Sequence, residues 1–290
     1  MSNKIYFNTP SRFSLKRSLV NVSTRLHHTL ARKHAIKTAK KLLLTPARLK
    51  VKNTEPQGIV RGKVSCDEGT LTTYSLGQGP IWLVTHGWSG STSQFYPLME
   101  HIAQQGFTAL AFDYAGHGES EGRYGHLPAF VNALEAMADS CGDIVGIAAH
   151  SMGSAAVLES KHEKLQSIPL LLVAPVLDYL ENLMRAVSRS GFSMKLFNEV
   201  ISEVEQEYQY PLQSINPQQH LLERQSTTII VHDDADRFAK LPISQMMAKQ
   251  SALVELVTTT GFGHSRIMTS QQVMDAFDRL ALADTKVNRY

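Results

Sequence analysis

The chain has few cysteines, no long apolar run and, across its first 54 residues, no acidic side chain. Cys66 and Cys141 are its two cysteines, which give neither a disulfide framework nor the ligand spacing of a metal site. The longest apolar run, 168–176, has the length of a strand and is far short of the ~20 residues of a membrane span. The N-terminus also lacks the apolar core of a secretory signal. The sequence therefore predicts a cytoplasmic protein with reduced thiols.

Short motifs of several cofactor and metal enzymes are missing as well. The sequence has no Gly-x-x-x-x-Gly-Lys phosphate loop, no Gly-x-Gly-x-x-Gly dinucleotide turn and no His-Glu-x-x-His metal motif. We therefore expect neither a cofactor nor a bound metal.

The basic residues are concentrated at one end of the chain. Residues 1–54 hold 13 of the 29 Lys and Arg, whereas residues 55–290 hold 16 basic and 26 acidic residues, a net charge of −10. This asymmetry predicts a basic N-terminal arm, 1–54, followed by a domain spanning 55–290.

The arm carries apolar residues at helical spacings, which predict one or two amphipathic helices over 14–41. They are Leu15, Leu19, Val22, Leu26 and Leu30. Three interpretations stay open: a helix docked on the acidic domain, a peripheral contact with an anionic membrane through residues 1–50, or a cleaved organellar transit segment. Aromatic residues stand near the start of the arm, outside its main Lys/Arg stretch, so we expect no nucleic-acid partner.

Beyond the arm, short apolar runs alternate with amphipathic stretches. The predicted strands are 64–66, 71–76, 81–85, 107–112, 143–149, 168–176, 227–231 and 253–258. Such alternation is typical of an α/β fold with a mostly parallel sheet covered on both faces. Residues 177–222 interrupt the alternation with helical patterns, and an insertion there would form a cap that shapes a substrate pocket.

A serine stands at the end of one predicted strand. Residues 147–153 read Ile-Ala-Ala-His-Ser-Met-Gly and precede small, helix-compatible residues. A strand that runs into x-Ser-x-Gly and then into a helix is typical of a nucleophile elbow, in which the serine hydroxyl stands exposed above the sheet edge. The alternative is a serine that caps the helix, but Gly153 and the small residues after it favour the elbow.

Five segments together resemble the α/β-hydrolase superfamily, in its serine aminopeptidase-like branch, over roughly residues 60–285. They are His86-Gly87-Trp88, the 113–122 segment, the elbow at Ser151, His232-x-x-x-Asp236 and Gly263-His264. The resemblance implies a central, mostly parallel sheet with helices on both faces and a small helical cap at 177–222. One departure is Ala149, which replaces the first glycine of Gly-x-Ser-x-Gly.

A serine hydroxyl needs a base to remove its proton and a third group to orient that base. Ser151, Asp236 and His264 follow the Ser…Asp…His order of this fold, each just after a predicted strand. The glycines on either side of Phe262 predict a loosened loop that lets His264 reach back to the serine.

The acid has alternatives. The superfamily pattern His-Gly-x-x-Asp implies Asp236, but Asp233 replaces its glycine, so Asp233 and Asp234 stay open. Asp178 follows the preceding strand, which is the other location that the fold uses.

The resemblance further implies an oxyanion hole formed by the backbone N–H groups of Met152 and Trp88. His86 is predicted to orient the loop that carries Trp88, and His150 and His117 are predicted to be structural.

These residues predict a serine hydrolase that cleaves a small-molecule carboxylic ester or thioester through an acyl-enzyme on Ser151. A non-catalytic binding protein of the same fold is one alternative. A serine amidase or peptidase, or a carbon–carbon hydrolase, is another. The sequence predicts no particular oligomeric state.

Overall fold

The computed structural model describes residues 15–48 and 53–287, with side chains described as far as Ala281. Residues 1–14 and 49–52 of the predicted arm lie outside the described residues. The chain divides into two compact units, of which the larger comprises Pro46–Asp178 and Asn216–Tyr290. The smaller comprises Met1–Thr45 and Tyr179–Ile215.

The larger unit contains an eight-stranded sheet in the order β1-β2-β4-β3-β5-β6-β7-β8. Its strands are β1 Val60–Cys66, β2 Gly69–Leu76, β3 Ile81–Thr85, β4 Thr108–Phe112, β5 Ile144–His150, β6 Leu170–Val173, β7 Thr228–Asp233 and β8 Val254–Thr259. Strand β2 is antiparallel to both neighbours, and β4, β3 and β5 to β8 run parallel. The predicted mostly parallel sheet is confirmed.

Both units contain helices. They are α1 Leu15–Leu30, α2 Arg32–Leu44, α3 Tyr96–Gln104, α4 Leu127–Ser140, α5 Met152–Glu159, α6 Tyr179–Ser190, α7 Met194–Tyr208, α8 Pro217–Glu223, α9 Leu241–Gln250, α10 Gly263–Arg266 and α11 Gln271–Val287. No helix in the described ranges 15–48 and 53–287 is both long and apolar enough to cross a bilayer.

The core of the larger unit forms where helices α3 and α11 cover the sheet. Trp82 of β3 packs edge-on against Phe277 of α11, with ring centroids 4.8 Å apart. Gly146 on the adjacent strand leaves room for the indole, because a Cβ there would lie 2.5 Å from it. The fully buried strands give the sheet a rigid frame, and the loops after β5, β7 and β8 extend from one edge of it.

The smaller unit is helical and joins the arm to the insertion. Helix α2 buries Ala35, Ala39 and Leu43, which recur every four residues and so form one face of the helix. Helix α7 buries Leu196, Phe197, Val200 and Val204. These faces are the apolar stripes that amphipathic helices place in a shared core.

Ion pairs connect the basic arm to acidic residues of the insertion. Glu199 of α7 accepts hydrogen bonds from Arg32, at 3.0 and 3.2 Å, and lies 2.9 Å from His28 Nε2. The hydrogen bonds from Arg32 and then His28 lower the pKa of the Glu199 carboxyl. Lys40 donates to Glu207 at 2.6 Å. The compact unit thus combines parts of both predicted segments, and the division at 1–54 and 55–290 stays a prediction, as does the role of 177–222 as a cap.

Candidate active site

Ser151 lies in the sharp turn between β5 and α5. Its backbone angles are φ 55° and ψ −119°, a region that costs a non-glycine residue roughly 1–3 kcal/mol. Neighbouring hydrogen bonds hold this conformation, because Ser151 N donates to the Val173 carbonyl and Ser154 N donates to the Ser151 carbonyl, both at 3.1 Å. The turn has the strained strand-to-helix geometry that the motif predicts.

Small residues around Ser151 make this turn possible. A Cβ at Gly153 would lie 2.6 Å from the His86 carbonyl oxygen, so a larger residue there would displace the loop after β3. Ala149 is fully buried in β5. The structure accommodates its methyl group at the position where the superfamily pattern has glycine.

Ser151, His264 and Asp236 form a continuous hydrogen-bonded chain. His264 Nε2 lies 2.8 Å from Ser151 Oγ, and His264 Nδ1 lies 2.7 Å from Asp236 Oδ2. Because a carboxylate can only accept, Nδ1 carries the hydrogen. In the neutral ring, Nε2 then accepts from the Ser151 hydroxyl.

Asp236 is held from several sides. Its side chain is fully buried, and its Oδ1 accepts from the backbone N–H groups of Phe238 at 2.7 Å and Ala239 at 3.0 Å. His232 Nε2 lies 3.4 Å from Oδ2. Burial alone would raise the pKa of Asp236, but the interactions with His232 and His264 outweigh burial and lower it. The carboxylate is therefore ionised at neutral pH and fixed in direction.

Asp233 has a different position from Asp236. Its two carboxylate oxygens accept from the backbone N–H groups of Ala235, Phe262 and Gly263 and from the Thr259 hydroxyl, at 2.8–3.0 Å. Burial raises the pKa of Asp233, and these hydrogen bonds lower it further than burial raises it. Asp233 therefore ties the loop before His264 to the end of β7.

The other two candidate acids have partners elsewhere. Asp234 accepts from the Thr260 hydroxyl at 3.0 Å, and Asp178 forms an ion pair with Lys240 at 3.1 Å. Within the described residues, Asp236 is the candidate acid that is hydrogen-bonded to His264.

The loop that carries His264 differs from the loosened loop expected from its glycines. His264 is the second residue of the short helix α10, and Asp233 holds the backbone N–H groups of the two preceding residues. Gly263 has a positive φ of 66°, a conformation that favours glycine. Its role is therefore to permit a turn and not to loosen the loop. The sequence feature that could have indicated these hydrogen bonds is Asp233 itself, which replaces the glycine of the superfamily pattern.

His150 supports His264 from behind. Its Nε2 lies 2.9 Å from the His264 carbonyl oxygen, to which it donates, and the two rings are 4.8 Å apart. Burial and then the neighbouring His264 lower the pKa of His150 to about 3, so its ring is neutral. His150 therefore positions the backbone of His264 without adding a charge beside it.

The loop after β3 lies directly against the serine. His86 Nδ1 donates to the Gly87 carbonyl at 2.7 Å, and His86 Nε2 accepts from the Tyr114 N–H at 3.1 Å. Burial lowers the pKa of His86, which keeps this neutral tautomer. Half-buried Trp88 follows Gly87, and buried Met152 follows Ser151 as the first residue of α5. Their predicted oxyanion roles stay predictions.

We expect Gly87→Ala to lower kcat/KM for the hydrolysis predicted from the sequence by about 10- to 100-fold, because small displacements of catalytic groups have effects of this size. A Cβ at Gly87 would lie 2.7 Å from Ser151 Cβ and 3.2 Å from the His150 carbonyl oxygen. Steady-state kinetics would measure the effect. Gly142→Ala is the matched control, since a Cβ there meets nothing within 4 Å. Equal rates for both variants would contradict a close approach of this loop to the serine.

Among the described residues, no group of three or more His, Cys, Asp or Glu side chains is arranged to hold a metal ion.

Residues 80–283 match the model of the family described as serine aminopeptidase, S33. The chain belongs to this family. The match confirms the predicted superfamily and branch, and it makes the protein an S33-type α/β hydrolase. No sequence among the curated proteins matches the chain.

Solved structures similar to this S33-type hydrolase include several esterases. The esterase Est1E from Butyrivibrio proteoclasticus, with bound ferulic acid, has a TM-score of 0.61 at 18% identity, over 76% of this chain and 99% of that one. A Pyrococcus furiosus esterase has a TM-score of 0.61 at 17% identity, over 83% and 97%. The thioesterase domain of the curacin biosynthetic pathway has a TM-score of 0.55 at 16% identity, over 78% and 100%. At these identities the likeness demonstrates the fold.

Proposed function

We propose that this S33-type hydrolase cleaves a carboxylic ester or thioester through an acyl-enzyme on Ser151. The observation that carries the proposal is the hydrogen-bonded chain from Ser151 Oγ through His264 to Asp236, with distances of 2.8 and 2.7 Å. A serine placed this way on a strained turn has both a base and an orienting carboxylate within reach.

In the first half-reaction, Ser151 Oγ attacks the acyl carbon while His264 Nε2 takes the hydroxyl proton. Ionised Asp236 stabilises the imidazolium that forms. The N–H groups of Met152 and Trp88 would hold the oxyanion, and each such donor contributes about 3–4 kcal/mol in measured cases. His264 then gives its proton to the departing alcohol or thiol, which leaves the acyl-enzyme.

In the second half-reaction, water attacks the acyl carbon of the acyl-enzyme. His264 removes a proton from that water and returns it to Ser151 Oγ as the carboxylic acid departs. Neutral His150 fits this cycle, because a charged ring 4.8 Å from His264 would oppose the imidazolium.

Two lines of support favour different acyl substrates. The similar structures named above include esterases and a thioesterase domain, which favours ester or thioester cleavage. The family's description as a serine aminopeptidase favours an amide, and a serine peptidase is therefore the second candidate. A single chemical comparison separates the two.

The test uses one acyl group presented as a p-nitrophenyl ester, a coenzyme A thioester and a p-nitroanilide. We expect turnover of the ester or thioester and no turnover of the anilide above the rate without enzyme, because the amine is the poorest leaving group. Turnover of the anilide above that rate would identify a peptidase. No turnover of any substrate, together with no labelling by a fluorophosphonate, would indicate a binding protein.

A further inference from the structure

Helix α1 exposes its apolar side. Five large apolar residues are between 55% and 83% exposed, namely Leu15, Leu19, Val22, Leu26 and Leu30. At 100° per residue they fall within an arc of about 80°, along a helix about 24 Å long. They therefore form a continuous ridge, which we call the leucine stripe.

The opposite side of α1 is polar and packs within its own unit. Asn21 Nδ2 donates to the Gly191 carbonyl at 3.1 Å, and Thr24 Oγ1 accepts from the Ser193 N–H at 3.1 Å. His28, one turn further on, is buried beside Glu199. This orientation is the reverse of the usual one for a surface helix, which turns its apolar stripe inward. A contiguous exposed apolar ridge of this size marks a binding surface.

Charge identifies the kind of partner. Residues 15–45 contain no Asp or Glu, and Lys16 and Arg25 flank the leucine stripe, each about 90° round the helix from its centre. A helix with an apolar face and basic flanks is suited to lie in the interface of an anionic membrane. A second copy of the chain would instead bring another acid-free, basic helix against the first, and the like charges would repel.

A cavity beside the stripe adds a place for a headgroup. It has a volume of about 550 Å³, and its lining includes Arg17, Arg25, Lys195 and, from the stripe itself, Val22. Guanidinium and ammonium groups are the side chains that recognise phosphate. A phosphate in this cavity would leave the attached acyl chains next to the leucine stripe.

We infer that α1 binds the surface of an anionic phospholipid bilayer, with the leucine stripe inserted and the cavity facing a headgroup phosphate. The helix lies in the plane of the interface. This binding does not depend on the chemistry of Ser151.

The test is co-sedimentation of the full chain with vesicles of phosphatidylcholine alone or with 30% phosphatidylglycerol. We expect at least tenfold stronger binding to the anionic vesicles. The double variant Leu19→Ser with Leu26→Ser should lose at least tenfold of that affinity. Val60→Ser is the matched control, since Val60 is 67% exposed in β1, and it should bind like the wild type.

A second pair of variants tests the charges. Arg25→Gln and Lys195→Gln should each weaken binding by about fivefold and reduce its dependence on salt. Circular dichroism and turnover of a short soluble ester should stay unchanged in all these variants, which keeps a failure here distinct from a failure of the proposed hydrolase function.

Three results would overturn the inference. One is equal or absent binding of the wild type to both kinds of vesicle. Another is full binding by the leucine variant. The third is a dimer, seen by light scattering, that the leucine variant dissociates while neither protein binds vesicles, because the stripe would then be covered by a second copy.

Discussion

Ser151→Ala is expected to lower kcat for a p-nitrophenyl ester on the order of 10⁴- to 10⁶-fold, as for serine nucleophiles removed from other triads. The substitution removes the Oγ that lies 2.8 Å from His264 Nε2 and with it the atom that would carry the acyl group. Initial rates, and labelling by a fluorophosphonate probe followed by peptide mass spectrometry, would measure the loss. The adduct in the wild type should be on the peptide that contains Ser151.

Ser154→Ala is the matched control for this experiment. Ser154 is buried three residues further along, and its hydroxyl donates to the Ala149 carbonyl at 3.0 Å. It should keep its labelling and stay within a few-fold of wild-type turnover, since a typical lost hydrogen bond affects stability by about 1 kcal/mol. Persistent labelling and turnover in a folded Ser151→Ala variant would reject the acyl-enzyme mechanism.

Asp236→Asn is expected to lower kcat on the order of 10³- to 10⁴-fold, the effect known for this change in a serine triad. The carboxylate accepts from His264 Nδ1 at 2.7 Å, whereas an amide can donate to that nitrogen and so favour the wrong tautomer. Nε2 would then carry the hydrogen and could not accept from Ser151. Rates between pH 6 and 9, with thermal unfolding of the same samples, would measure the effect.

The neighbouring carboxylates supply controls with the same substitution. Asp234→Asn removes an exposed charge bonded to Thr260 and should turn over at close to the wild-type rate. Asp233→Asn should mainly reduce thermal stability, because Asp233 holds the loop that carries His264. A larger loss of kcat in Asp234→Asn or Asp178→Asn than in Asp236→Asn would place the acid elsewhere.

The sequence predicted the sheet well because its buried strands are apolar runs bounded by turn residues. Its errors have physical causes. Strand β1 begins at Val60, four residues before the predicted start, since its first four residues are exposed at the sheet edge and Val60 is the one apolar residue among them. Strand β6 ends at Val173, although the apolar run continues to Val176, because apolar residues also line the turn beyond the strand. Helix α9 was not predicted; Ser244 and Met247 are its buried residues, too few for a clear stripe.

The sequence predicts a residue of the site well where a motif fixes the backbone conformation. It predicts less well where a contact depends on loop hydrogen bonds or on a partner that is distant in the sequence. Ser151 could be predicted because its sharp turn requires small neighbouring residues, and these are visible in the sequence. For the acid, the superfamily pattern implied Asp236 but the residues alone left Asp233 and Asp234 open, because three carboxylates stand between 233 and 236 and their directions depend on loop hydrogen bonds. The pairing of the arm with the insertion joins His28 to Glu199, 171 positions apart. Charge asymmetry indicated that the arm could meet acidic partners but could not identify Glu199.

The discontinuous make-up of the smaller helical unit has a consequence for biosynthesis. Helices α1 and α2 leave the ribosome before α7, which ends at Tyr208. At about 5–20 residues per second, synthesis of the intervening ~160 residues takes roughly 8–30 s. Throughout that interval Glu199 and Glu207 are not yet available to pair with the basic residues of the nascent arm. The arm is therefore accessible to chaperones and proteases until α7 has been synthesised.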